Sequence, residues 1–122
     1  MKLTMQYVTI RNAGKAVTVG SQIALANTFA SRLFGLLGKR CLEPGCGMLI
    51  RPSSGIHTFG MSIPIDVVAL DRSLRVLQVW HSLAPFRLAG LSFKTRSVLE
   101  LAAGQIEARQ IQPGDQLEVA VN

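Results

Sequence analysis

The sequence predicts a mainly β domain, a compact β-sandwich or squashed barrel, with one short helix in its N-terminal half and a short helical turn near its C-terminus. Three observations predict it. Apolar and polar residues alternate over several stretches of strand length, clusters of Gly, Pro, Asn and Asp punctuate those stretches at close spacing, and an apolar stripe at helical spacing occurs early in the chain. The 122 residues suit a single domain spanning 1–122, without repeat or linker, and 48% apolar residues supply a sizeable core.

The elements follow in order. Thr4–Arg11 sets Met5, Tyr7 and Thr9 on one side and Gln6, Val8 and Ile10 on the other, and Asn12-Ala13-Gly14 closes it as a turn. Ala16–Val19 and Gln22–Ala26 read as two short strands around Gly20-Ser21. Asn27 or Thr28 caps a helix through Leu37 whose stripe is Phe29, Leu33, Leu36 and Leu37, with Gly38 as its stop and Lys39-Arg40 complementing its negative end. After a turn at Glu43–Gly47 come strands at Met48–Arg51, Ile56–Phe59 and Ile65–Leu70, separated by Pro52–Gly55 and Gly60–Pro64. Asp71-Arg72-Ser73 then turns the chain into Leu74–His81, which makes a hairpin. Ser82–Thr95 reads as a long loop, Arg96–Leu101 as a strand, Gly104–Ile111 as a helical turn and Gln116–Val121 as the last strand.

The charge of +6 is uneven. Residues 1–42 carry Lys2, Arg11, Lys15, Arg32, Lys39 and Arg40 and no acid. Residues 97–122 hold Arg109 against Glu100, Glu107, Asp115 and Glu118. Such an imbalance favours contact with polyanions or anionic membranes, although a solvated basic face is its ordinary meaning. No 18-residue apolar run occurs, which excludes a membrane-spanning helix. M-K-L-T-M-Q-Y-V-T-I-R-N lacks the continuous apolar stretch of a signal peptide, so the expected compartment is the cytoplasm. In that compartment Cys41 and Cys46 are expected as free thiols.

Asp66 stands out because a strand from Ile65 puts it on the face of Val68 and Leu70, where a carboxylate must be hydrogen-bonded or paired. Backbone amides of the preceding Gly60–Pro64 segment would make it a structural clasp; His57 or Arg32 would make it half of a charged pair that orients the histidine. His57 lies among Gly55, Gly60 and Pro64, whose irregular backbone is common beside sites. Other chemistries are poorly supplied. Cys41, Cys46, His57 and His81 match no zinc spacing, G-M-S-I-P lacks the second glycine of a nucleophile elbow, and Gly35–Arg40 closes a helix where a phosphate loop would open one. No cofactor is expected. Trp80, His81, Phe86, Arg87, Phe93, Lys94 and Arg96 interleave rings and cations as a nucleic-acid surface would, but with 6% aromatics Trp80 and Phe93 are expected in the core.

Four segments in series, A-S-R-L-F-G-L-L-G-K-R, G-M-L-I-R-P-S-S-G-I-H-T-F-G-M-S-I-P-I-D-V-V-A-L-D, S-V-L-E-L-A-A-G and P-G-D-Q-L, resemble the family catalogued as domain of unknown function 192, over roughly 17–121. The family pattern falls on Arg32, Gly35, Leu36, His57, Thr58, Met61, Pro64, Asp66, Glu100 and Gly104. The resemblance implies a mainly β fold and no particular reaction. Other branches carry Trp-Met-Lys-Asn-Thr in place of His57–Met61, and a general base cannot become tryptophan and keep its chemistry.

The leading expectation is therefore a non-enzymatic β domain that binds a small ligand or protein partner, with Arg32, Arg51, His57, Thr58, Met61 and Asp66 lining the site. The arginines suit an anionic partner because guanidinium grips carboxylates and phosphates in two-pronged fashion. The alternatives are a hydrolase or transferase with His57 as base and Asp66 as its orienter, and a basic binder of nucleic acid or anionic surfaces.

Overall fold

A computed structural model of the chain describes residues 5–28, 43–53, 56–57, 63–84, 88–89 and 92–122. They form β1 (Gln6–Asn12), β2 (Val17–Ala26), β3 (Cys46–Ile50), β4 (Ile56–His57), β5 (Ile65–Leu70), β6 (Val76–Leu83), β7 (Leu88–Ala89), β8 (Ser97–Ala102), a one-turn helix α1 (Gln105–Ala108) and β9 (Leu117–Val121). Seven strands make one sheet in the order β6-β5-β8-β3-β2-β1-β9, and β4 pairs with β7 apart from it. The expected helix from Asn27 or Thr28 through Leu37 lies outside the described residues. No helix among them is long and apolar enough to cross a membrane.

Neighbouring strands run antiparallel except β2 and β3, which are parallel and joined by a connection long enough for the crossover that parallel pairing requires. The sheet curls until its two edge strands meet at one corner. There Arg75 bridges Gln116, Leu117 N–H donates to Leu74 O (3.0 Å) and Val76 N–H donates to Asp115 O (2.8 Å). The result is a half-barrel, in keeping with the squashed barrel the strand spacing predicts.

The concave face holds the main core, with Val8, Ile23, Leu25, Leu49, Leu99 and Leu70 packed under Ile106 of α1. The opposite face of the central strands is buried as well. Ile65, Val67 and Val98 form one cluster with Trp80 and Leu83 against it, and Ala24, Ala26 and Met48 form another. Burial on both faces explains why I-D-V-V-A-L and S-V-L-E-L-A read as nearly unbroken apolar runs rather than alternating ones.

Three local expectations change. Ala16–Val19 and Gln22–Ala26 are one ten-residue strand, because Gly20-Ser21 sits at a register shift against β1, between Val8↔Ile23 and Ile10↔Gly20. The Ser82–Thr95 loop contains β7, whose two residues are too few to show a periodicity. Cys46 opens β3 and is disulfide-bonded, which replaces the expected free thiol. Cys41, the chain's other cysteine, is outside the described residues. The Glu43–Gly45 turn supplies the local reversal: Gly45 has φ 86° and Cys46 N–H donates to Glu43 O at 3.0 Å.

A polar knot ties β1 to the entry of β9. Asp115 Oδ2 accepts from Asn12 Nδ2 (2.8 Å), Lys15 Nζ (3.0 Å) and Gln112 N–H (2.9 Å). Burial works to raise the Asp115 pKa, but the hydrogen bonds from Lys15, Asn12 and the Gln112 amide outweigh it and hold the carboxyl below its ordinary value. A depressed folded-state pKa stabilises fully above the unfolded value of about 3.9, and that stabilisation is lost as pH falls through the folded value. Lys15→Met should therefore show a shallower loss of stability than the parent between about pH 5 and pH 2. Urea midpoints at stepped pH measure this, and parallel acid limbs would refute it.

Candidate functional site

Asp66 follows Ile65 on β5, and strand parity turns it onto the concave face, where it is 0% exposed. Its oxygens take two backbone donors: Ser82 N–H to Oδ1 at 2.8 Å and Ile106 N–H to Oδ2 at 2.9 Å. The first donor comes from a bulge. Ile65 pairs with Leu83 and Val67 with Trp80, so His81 and Ser82 together face the single Asp66, and Ser82 adopts φ 50°. The second comes from α1, whose N-cap Gly104 has no side chain with which to cap the helix. Asp66 replaces that cap from a neighbouring strand and places a negative charge at the positive end of the helix. Amides of β6 and α1 thus hold both oxygens of the carboxylate; most of the Gly60–Pro64 segment, expected to supply them, lies outside the described residues.

Glu100 is the second carboxylate in an apolar strand and is 2% exposed. It stands on β8 opposite Met48 of β3 and Val67 of β5, on the other face of the sheet from Leu99 and Leu101. A carboxylate so placed has to be satisfied from within the fold. Its burial is readable by the same parity argument that singles out Asp66.

Cations gather where β3 and β5 end and β8 begins. Arg51 follows β3 and its N–H donates to Ala26 O (3.1 Å); Arg96 precedes β8, donating its N–H to Leu70 O (2.9 Å) and receiving Ser53 N–H at its carbonyl (2.9 Å). Arg72 is exposed in the β5–β6 turn and Lys94 in the turn before β8, and both join Asp71, Leu77, Phe93 and Arg96 around a shallow depression. Asp71 is engaged locally, its Oδ1 accepting from Ser73 N–H (2.8 Å) and Arg75 N–H (2.9 Å). The ion pair found among the described residues is Lys15–Asp115, so Arg51, Arg72, Lys94 and Arg96 form no ion pair with any of those residues, and Asp71 is the one acid among them that lines the depression.

Of the expected site residues, Asp66 and Arg51 are the two whose surroundings are described, and they lie apart. Asp66 is level with Leu101 and, through it, with Gly47, whereas Arg51 lies four residues further along β3, about 13 Å at the usual rise of a strand. The His57 backbone pairs with Leu88 in β4–β7. The His57 side chain, Arg32, Thr58 and Met61 lie outside what is described. Of the expected interleaved surface, Trp80 is half-buried against Ile65, Val67 and Val98, whereas Phe93 is 84% exposed, contrary to its assignment to the core. Phe86 and Arg87 are outside the described residues, and His81 is exposed.

A half-barrel with a sealed carboxylate clasp and a basic end defines a mainly β domain. Its family follows from comparison: residues 8–119 match the model of DUF192, described as uncharacterized ACR, and the chain belongs to that family. It is 29% identical over 112 residues to the UPF0127 protein PH1112 of Pyrococcus horikoshii, covering 89% of this chain and 96% of that protein. Two crystal structures share the fold. One is a protein of unknown function from Novosphingobium aromaticivorans, with TM-score 0.72 and 24% identity over 95% of this chain and 86% of that one. The other is a candidate transcription regulator from Sinorhizobium meliloti, with TM-score 0.71 and 21% identity over 98% of this chain and 96% of that one.

Proposed function

We propose that this protein is a non-catalytic binding module whose partner is anionic and is engaged at the basic end of the sheet. The observation that carries the reading is the gathering of Arg51, Arg72, Lys94 and Arg96 at that end with no ion-pair partner among the described residues. Unneutralised cations raise the local concentration of anions and grip them with little cost in broken internal pairs. Of the residues expected to line a pocket, Arg51 belongs to this surface. Asp66 supports the reading differently, since a carboxylate with both oxygens on backbone amides is occupied in holding the fold and is poorly placed to orient a base. The test is retention on immobilised heparin across a salt series. Arg72→Gln combined with Arg96→Gln should elute at clearly lower salt than the parent and reduce the slope of log affinity against log salt by about 1–2. Elution at the same salt would sink the proposal.

A further inference from the structure

We infer that the turn Ser92–Thr95 docks this end of the molecule on an anionic lipid surface, with Phe93 entering the interfacial layer. The inference rests on the anionic reading above and names the partner. Phe93 is 84% exposed on a turn that is firmly held: Thr95 N–H donates to Ser92 O (3.2 Å), Lys94 N–H donates to Ser92 Oγ (3.2 Å), and Thr95 is 2% exposed. The next residue is pinned to β5 through Arg96 N–H and Leu70 O at 2.9 Å. The ring is therefore presented by an ordered support and does not owe its exposure to slack chain.

A lone exposed ring is ordinary on a protein surface. This one shares its depression with Arg72, Lys94 and Arg96, with half-buried Leu77 and with a single acid, Asp71, whose carboxylate is turned to the Ser73 and Arg75 amides, so cations outnumber it three to one. An apolar group among cations is the composition that an anionic bilayer rewards twice, through burial of the ring and through attraction of each cation to the headgroups. Single-stranded nucleic acid fits less well, since it tracks a row of stacking rings. The other exposed Phe, Tyr or Trp ring among the described residues, Tyr7, is 42% exposed on β1, several strands away in the sheet.

The experiment is co-sedimentation of the full chain with vesicles of phosphatidylcholine, alone or with one quarter phosphatidylglycerol, at low salt. Binding is expected to the mixed vesicles and not to the neutral ones. Phe93→Ala should weaken it about tenfold, as loss of part of one aromatic side chain's burial would, and Lys94→Gln about fivefold. Phe93→Trp should bind and gain a blue-shifted emission with mixed vesicles that the parent, whose one tryptophan is Trp80, does not show. Binding unaffected by Phe93→Ala, or absent from mixed vesicles, would overturn the inference. So would tighter, Phe93-dependent binding of a labelled oligothymidylate. Retention on heparin without vesicle binding would overturn this inference and leave the anionic reading standing; loss of both would remove both.

Discussion

Replacing Asp66 by alanine is expected to cost the fold about 3–5 kcal/mol, because it removes one carboxylate and strands two donors. The Ile106 amide lies at the start of a four-residue helix whose glycine cap offers no side chain, and Ile106 itself is in the main core. The Ser82 amide lies in a bulge whose backbone is already left-handed, a conformation that serine pays to adopt. Without Asp66 the bulge loses its anchor and α1 its cap, and the two failures occur on opposite sides of one residue. Asp66→Asn separates charge from shape. Its carbonyl oxygen can take one amide, but its amino group then faces the other donor, so much of the loss should remain. For a chain of this length the alanine variant should melt roughly 12–20 °C below the parent. An unchanged melting temperature together with lost partner binding would instead make Asp66 a ligand-contacting residue.

Strand parity alone locates Asp66 on the face of Val68 and Leu70 and shows that it needs partners. It cannot say which, because the donors lie 16 and 40 residues further along the chain. The same limit explains β4 and β7, two residues each, whose pairing spans the distance from Ile56–His57 to Leu88–Ala89. The hairpin of β5 and β6 is legible because its turn is short and Asp71 closes it through its own side chain. Glu100 carries the parity signal as clearly as Asp66 does, in S-V-L-E-L-A. The scarcity of rings in the whole chain argues for an inward Phe93, but a total does not place an individual ring, and Phe93 is exposed. The basic end is legible only in part: Lys94 and Arg96 stand together in sequence, but Arg51 and Arg72 are distant from them, and strand order brings them to the same end.

Gly47→Ala is expected to destabilise by about 3 kcal/mol or more, an effect as large as that of Asp66 but with a steric origin. Gly47 reads in sequence as the end of a turn, yet it is the second residue of β3, buried between Ile23 of β2 and Leu101 of β8. A methyl group there would collide with the Glu100 carbonyl oxygen and approach Leu101 Cδ2 to 2.9 Å and Ile23 Cδ1 to 3.2 Å. The leucine and isoleucine can rotate, but the carbonyl belongs to a central strand held on both sides by β3 and β5. Relief therefore requires β8 to move away from β3, which loosens the ladder that also levels Asp66 with Leu101. Gly14→Ala is the control, since nothing lies within 4 Å of the added carbon and the residue is exposed. Lower chain entropy in the unfolded state should leave that variant neutral or slightly more stable. Urea denaturation of the two variants gives the answer: equal midpoints would sink the steric argument, whereas a large gap places the importance of Gly47 in the close approach of β3 to β8.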